Sequence, residues 1–260
     1  MKSARDNRET EPVDLLQRVK EHTPWPIRQL SRRIKRELHW AQNGRRPLSD
    51  VFHKIYEQNV WGSGGSGGNG AFYSGPGSED VPASIYAEGI RRFIAAQGVR
   101  SVVDLGCGDF RVAGRFLDPE ISYVGIDVVE PLIAANQARF AGPNIRFEHL
   151  DITADPLPQG DLCLLREVLQ HLSNTEILRI LPKLAQYKFA IYSDYQPADT
   201  ARLVPNRDIA HGQDTRIWLD SALYLDQPPF GVRTELLFEA PATTALRGPG
   251  ERIRTFLIHL

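Results

Sequence analysis

The chain has 260 residues, 42% of them hydrophobic and 24% charged, with a formal net charge of -1. That is enough to bury a full core and too apolar for disorder to dominate, while a near-neutral total speaks against a nucleic-acid-binding protein as a whole. Two cysteines, Cys107 and Cys163, exclude a disulfide framework, and no apolar run reaches membrane-spanning length. The N-terminal MKSARDNRETEPVD has no hydrophobic signal core, so the expected location is the cytoplasm.

In chain order, residues 1 to 50 hold 12 Lys/Arg against 7 Asp/Glu, a surplus of +5 that leaves -6 for the remainder. From Pro12 to about Trp40 the spacing predicts helix: Val13, Leu16 and Val19, then Ile27, Leu30, Ile34 and Leu38, recur every three or four residues. Arg28, Arg32, Arg33, Lys35 and Arg36 fill the other faces. The plainer reading is a solvated face or a self-association element that would make a homo-oligomer; the other is a contact with an anionic or membrane surface. LSDVFHKIYEQNVW predicts a further helix, with Ser49 as its cap. WGSGGSGGNGAFYSGPGS, from Trp61 to Ser78, then reads either as a tether or as a mobile part of a site.

After Val81 helical segments alternate with short β-branched runs. Among them are SIYAEGIRRFIAAQG, SVVDLG, DFRVAGRFL, SYVGIDV, EPLIAANQARFA, IRFEHLDI, DLCLLRE and NTEILRILPKLAQ. Such alternation predicts an α/β protein with a parallel, doubly wound, Rossmann-like sheet and a ligand crevice beyond the carboxyl ends of its strands. The expected organisation is a helical extension over 1–60, a glycine-rich mobile segment or lid over 61–80, and the α/β domain over 81–260.

SVVDLGCGDF is the strongest signal. Asp104 ends a β-branched run, and Gly106 and Gly108 form a turn that lets backbone approach a ligand before the next helix. A dinucleotide site would place a third glycine at position 111, which is Arg111 here. Asp104 and Asp109 would repel a pyrophosphate and favour a sulfonium or amine. Asp127 ends the second strand about 20 residues after the glycine turn, where a carboxylate can accept both hydroxyls of a ribose. Asp151, beside Ile152, closes the third, and it can accept a hydrogen bond from an exocyclic amino group while Ile152 packs on a flat ring. Singly, each of these aspartates suits a turn or a helix cap; their recurrence at one relative position points to a ligand.

On these residues Ser101 to Leu165 resembles the cofactor half of class I S-adenosylmethionine-dependent methyltransferases. DLGCGD matches the first motif of that superfamily, GID the second, and Asp151-Ile152 the adenine-side motif. IYEQNVWG, SGPGS, LREVLQHLS and NRDIA extend the likeness to a largely uncharacterised bacterial group from about Val51 onward. The resemblance implies a seven-stranded sheet whose last strand is antiparallel, and S-adenosylmethionine as methyl donor. It also implies that Ser74, Gly75, Gly77 and Ser78 close over the methionine end, and that Arg166 and Glu167 meet both methionine and acceptor.

His171 follows Glu167 by four residues, so a helix would put both on one face. It reads as a general base or acceptor-orienting group, or as a structural histidine. Asp194 ends the fifth strand and can serve as a base. Asp194, Asp208 and His211 have ligand chemistry for a divalent ion, but their spacing is irregular and no metal site is assigned. Tyr73, Tyr195, Trp218 and Tyr224 are candidate stacking faces.

The family's Asn/Asp-Pro-Pro-aromatic motif of nitrogen acceptors is replaced by LREV, and Cys163 lies inside a strand. By elimination the expected acceptor is an oxygen of a hydroxylated small molecule, a sugar or a glycoside. A Rossmann-type nucleotide-binding oxidoreductase and a catalytically idle scaffold with the same fold are the two rivals.

Overall fold

A computed structural model describes residues 25–63, 72–197, 200–201, 203–242 and 251–259. The expected helix over 12–24 lies outside them. Two compact units emerge, residues 1–38 and 39–260. In the first, the helix α1 (Trp25–Asn43) begins.

The second unit is built on seven strands: β1 (Ser101–Leu105), β2 (Ser122–Asp127), β3 (Ile145–His149), β4 (Leu162–Arg166), β5 (Phe189–Gln196), β6 (Arg233–Pro241) and β7 (Arg252–His259). Their order is β3-β2-β1-β4-β5-β7-β6, parallel from β3 to β5, with β7 antiparallel to both of its neighbours. This is the Rossmann-like α/β sheet that the alternation of elements predicts. The strand order reverses between β1 and β4, and the crevice opens there, beyond their carboxyl ends.

Alternation along each strand divides the core in two. Val103, Leu105, Cys163 and Leu165 face one side with α2 (Leu48–Glu57) and α5 (Asn174–Ile180). Val102, Leu162 and Leu164 face the other with α3 (Asp80–Gln97). The central strands read as unbroken apolar runs because both of their faces are covered. Between β2 and β3, α4 (Glu130–Phe140) contributes Leu132 to one side and Ile133 to the other.

Three local expectations change. No α-helix follows β1: the chain makes only a 3-10 turn, Ala113–Arg115. Phe110 takes a left-handed φ of 66° and drives its ring among Tyr123, Phe140 and Phe147, at centroid distances of 5.3, 4.9 and 5.2 Å. Burying that ring so soon after the glycines leaves no room for helical continuation. The segment after β4 is likewise a 3-10 turn, Leu169–His171, and not an α-helix. Ser49 does not cap α2, whose N-cap is Pro47 with no side-chain hydrogen bond.

α2 buries Val51, Phe52, Ile55 and Tyr56 in the sheet's own core.

Helix α5 starts with a reciprocal cap. The Ser173 hydroxyl accepts from the Glu176 N–H at 3.3 Å, and the Glu176 carboxylate accepts from the Ser173 N–H at 2.7 Å. Loss of such a cap costs about 1 kcal/mol. Ser173→Ala is expected to lower the thermal midpoint by about 2–4 °C in scanning calorimetry; an unchanged midpoint would mean that this turn is held by other contacts alone.

Candidate functional site

A cavity of about 330 Å³ opens at the reversal between β1 and β4, within the range of small-molecule sites. Every candidate cofactor-binding residue named from the sequence lines it, as do Glu167 and His171, whereas Asp194, Asp208, His211, Tyr73, Trp218 and Tyr224 do not.

The floor is acidic. Asp104 accepts a hydrogen bond from the Tyr123 hydroxyl at 2.9 Å, and Asp127 accepts from the backbone N–H groups of Gly108 and Val129, both at 3.2 Å. Burial pushes both carboxyls up to about 6, despite these hydrogen bonds. Asp151 uses one oxygen on its own turn, accepting from the Thr153 N–H at 2.8 Å and hydroxyl at 2.7 Å. It is thus a turn former and a lining residue together.

Asp109 departs from its expected part. Its carboxylate is paired with the Arg111 guanidinium at 3.0 Å, with both side chains buried. Its charge is therefore compensated inside the protein and does not help attract a cation. Arg111 also lies over the Tyr73 ring at 5.0 Å.

The segment after the glycine-rich stretch closes one wall. The Ser74 hydroxyl accepts from the Asp109 N–H at 2.9 Å and bonds the Tyr56 hydroxyl at 3.0 Å. Gly108 has a left-handed φ of 54°, and a Cβ there would run into Ser74. Its lack of a side chain is required by this wall as well as by any ligand. The Ser78 hydroxyl turns back to the Gly75 carbonyl at 2.6 Å, so both serine hydroxyls are engaged within the protein. Arg166 donates to the Gly77 carbonyl, pairs with Glu167 at 3.0 Å, and lies over the Tyr86 ring at 5.1 Å. A Cβ on Gly77 would collide with the Glu167 carboxylate.

Glu167 reaches that position because it takes a left-handed φ of 55° directly after β4, anchored by its N–H on the Ser193 carbonyl at 2.7 Å. Such a conformation in a non-glycine residue is uncommon and clusters at functional sites. Glu167 and His171 share the cavity through this turn, not through a helical face.

His171 packs against the Trp61 indole with ring centroids 5.2 Å apart. Burial pulls its pKa down to about 4, outweighing the backbone of Asp214 and Gly212, which favours the charged ring. The imidazole is therefore neutral across the physiological range. Its turn rests on Arg216, which donates to the carbonyls of Gln170 at 3.3 Å and Leu172 at 2.7 Å and to the Asn174 side chain at 2.9 Å.

Asp194 does not reach the cavity. β5 continues to Gln196, so Asp194 stands inside the strand opposite Arg254 and is buried beside Glu167 and Arg216. Burial, reinforced by the charge of Glu167, raises its pKa well above the usual range. Tyr195 takes the lining position instead. Asp208 accepts from the Asn174 N–H at 2.7 Å, and His211 meets Glu176 at 2.7 Å. Among the described residues no group of three His, Cys, Asp or Glu is placed to hold a metal.

Of the four candidate stacking residues only Tyr195 faces the cavity. The aromatic wall comes from Phe52, Tyr56 and Trp61, with Tyr56 and Trp61 edge to face at 5.3 Å. Their signal was present in the sequence: an aromatic run immediately before the glycines.

Both floor carboxyls have folded values above the ordinary 3.8. Their contribution to stability is full below about 4 and is lost as pH rises through about 6. For His171 the folded value of about 4 lies below the ordinary 6.5. Its contribution is present above 6.5 and is lost as pH falls towards 4.

Residues 102–187 match a family model described as a methyltransferase domain. Uncharacterised methyltransferases of Mycobacterium tuberculosis and Mycobacterium bovis are 33% identical to this chain over 96 residues. That alignment covers 36% of the chain and 48% of each relative, so it spans about half of their length. Among solved structures, human N-acetylserotonin methyltransferase in complex with SAM is 16% identical with a TM-score of 0.45, covering 82% of this chain and 60% of that one. Magnesium protoporphyrin IX methyltransferase from Synechocystis PCC 6803 with bound SAM is 15% identical with a TM-score of 0.49, covering 83% and 99%. The segment 102–187 is thus similar to a methyltransferase domain.

Gly77→Ala is expected to push Glu167 out of its place and to weaken binding of S-adenosylhomocysteine about tenfold, or about 1.4 kcal/mol, in titration calorimetry. Unchanged affinity in the folded variant would detach the 74–78 wall from the cofactor.

Proposed function

We propose that this chain, whose residues 102–187 match a methyltransferase domain, transfers a methyl group from S-adenosylmethionine to an oxygen of a hydroxylated small molecule, a sugar or glycoside in particular. The observation that carries this reading is the pairing of an acidic floor with a neutral imidazole in one cavity.

The residues present fit the cofactor. Asp104 and Asp127 are buried carboxylates without an ion pair among the described residues. Their ionised forms are what a cationic ligand would favour. When bound, S-adenosylmethionine supplies the methyl group as an activated sulfonium. Asp127 would hold the ribose hydroxyls, Asp151 and Ile152 the adenine, and the backbone of Ser74 to Ser78 the methionine carboxylate. The segment Ser74 to Ser78 would then serve as a lid, with Arg166 and Glu167 as its catch.

His171, neutral and facing the cavity, would take the proton that an acceptor hydroxyl loses as its oxygen is methylated. Glu167, held by Arg166, would orient the acceptor. Gln170, Tyr195, Gln213 and Thr215 offer polar partners, and the indole of Trp61 offers a flat apolar face. That combination suits a sugar ring, which presents hydroxyls at its edge and C–H groups on its faces.

A dinucleotide is less well served. Its pyrophosphate would need the helix N-terminus that the 3-10 turn after β1 does not provide. A scaffold that never turns over would leave the neutral imidazole without a use.

The direct test is turnover with labelled S-adenosylmethionine across a panel of hydroxylated acceptors. His171→Ala is expected to lower kcat about 10²- to 10⁴-fold while cofactor affinity stays normal; normal turnover would make His171 structural. Asp127→Asn is expected to weaken the cofactor by about 1.5–3 kcal/mol.

Because binding of a cation favours ionised carboxylates with values near 6, affinity for S-adenosylmethionine should climb as pH rises through about 6 and level off above it. The neutral sulfur of S-adenosylhomocysteine should blunt that climb. Identical, flat profiles for both ligands would contradict the assignment of the acidic floor to the sulfonium.

A further inference from the structure

We propose that the methyl acceptor is an uncharged glycoside with an apolar aglycone, and that acceptors carrying a phosphate or a carboxylate are turned away. The inference rests on the methyl-transfer reading and narrows it.

The sheet topology divides the cavity in two. Asp151, Asp127 and Asp104 come from the carboxyl ends of β3, β2 and β1 and form its acidic side. Across the reversal the lining comes from the turn after β4, from β5 and from β7. Because β7 runs antiparallel, its first residues reach the same rim as the last residues of β5, and Ile253 pairs with Tyr195. Both share a small apolar cluster with Ala242, just past β6. Trp61 carries the lining across to α2: its indole centroid lies 5.2 Å from that of His171 and 6.1 Å from that of Phe52.

Charge sets what this second half can hold. Among the described residues that line the cavity, Asp104, Asp109, Asp127, Asp151 and Glu167 are acidic and Arg166 is the one cation. Arg166 is already engaged, by Glu167 at 3.0 Å and by the Gly77 carbonyl. Arg216, behind the turn, is held by the carbonyls of Gln170 and Leu172 and by the Asn174 side chain. A phosphate or carboxylate on the acceptor needs charge-assisted donors, and it would meet acids at low dielectric instead. An ammonium group fares no better on this side, where Glu167 is paired and Gln170, Gln213 and Thr215 are neutral.

Polarity then sets the acceptor's shape. Gln170, Gln213 and Thr215 can bind hydroxyls; Leu48, Phe52, Leu172, Ala242 and Ile253, which line the same cavity, cannot. A free sugar is polar on every edge and would bury some of its hydroxyls without partners, a loss that an apolar substituent removes. A phenyl or short alkyl aglycone covers those side chains and gains by leaving water. The sugar meanwhile keeps an edge on the polar groups and a face on the Trp61 indole, which is itself fixed by its N–H on the Gln213 carbonyl at 3.5 Å.

The test is titration calorimetry on the full chain saturated with S-adenosylhomocysteine. The probes are methyl and phenyl glycosides of glucose, galactose and mannose, and each phenyl glycoside phosphorylated at its primary hydroxyl. At least one phenyl glycoside is expected to bind about tenfold more tightly than its methyl counterpart. Its phosphorylated form is expected to bind at least about tenfold more weakly than the parent. Leu48→Ser and, separately, Ala242→Asn should shrink the phenyl preference while the thermal midpoint and the affinity for S-adenosylhomocysteine stay as in the parent. The proposal is overturned if no phenyl glycoside binds, if phenyl and methyl glycosides bind alike, if the phosphorylated form binds as well as its parent, or if both variants keep the full preference. In each of these cases S-adenosylhomocysteine still binds, so the cofactor site survives. A chain that does not bind S-adenosylhomocysteine at all would overturn the methyl-transfer reading and this inference with it.

Discussion

The burial of two carboxylates at the ends of adjacent strands is the constraint around which the cavity is organised. Raising Asp104 and Asp127 from 3.8 to about 6 corresponds to about 3 kcal/mol each against their ionised forms. The fold tolerates this because Tyr123 donates to one and the backbone of Gly108 and Val129 to the other. What those bonds do not supply is a counter-charge. A site that holds negative charge at low dielectric is preorganised for a positive ligand, and this preorganisation links the sheet topology to the proposed chemistry.

The opposite end of the cavity is organised by cations and neutral groups. Arg216, buried and still well above neutral pH at about 10, gathers the carbonyls of the turn that carries His171. Asp194 beside it adds a counterweight within the core and does not touch the cavity. The polar stretch after β5 therefore works largely as scaffold. The Asn206 amide donates to the carbonyls of Tyr224 and Pro228, Asp208 receives the start of α5, and His211 meets Glu176. Asn206 and Asp208 are thus tied to backbone, and His211 to a side chain of the helix they support.

The sheet was legible in the sequence because parallel strands covered on both faces must be apolar throughout, and because an aspartate at each strand end marks where the apolar run meets the crevice. That logic held for Asp104, Asp127 and Asp151, which all line the cavity. Asp194, by contrast, stands inside β5 and does not line the cavity, which its neighbour Tyr195 reaches instead. Backbone conformation was the other blind spot. Nothing in LREVLQHLS announces a left-handed Glu167, and nothing in DFRVAGRFL announces that Phe110 would plunge into the core in place of starting a helix. The pairing of Asp109 with Arg111 two residues on is local, yet its consequence, a silenced charge, depends on both being buried. Likewise Gly108 looked like room for a ligand and proved also to be room for Ser74, a contact 34 residues away in the chain.

Everything in the catalytic reading follows from where an adenosyl donor sits. A structure of the complex with S-adenosylmethionine measures that directly. The account predicts ribose hydroxyls on the Asp127 carboxylate, the adenine beside Asp151 and Ile152, and the sulfonium between the acidic floor and the His171 ring. A donor bound elsewhere on the protein, or an Asp127 side chain turned away from it, would contradict the account.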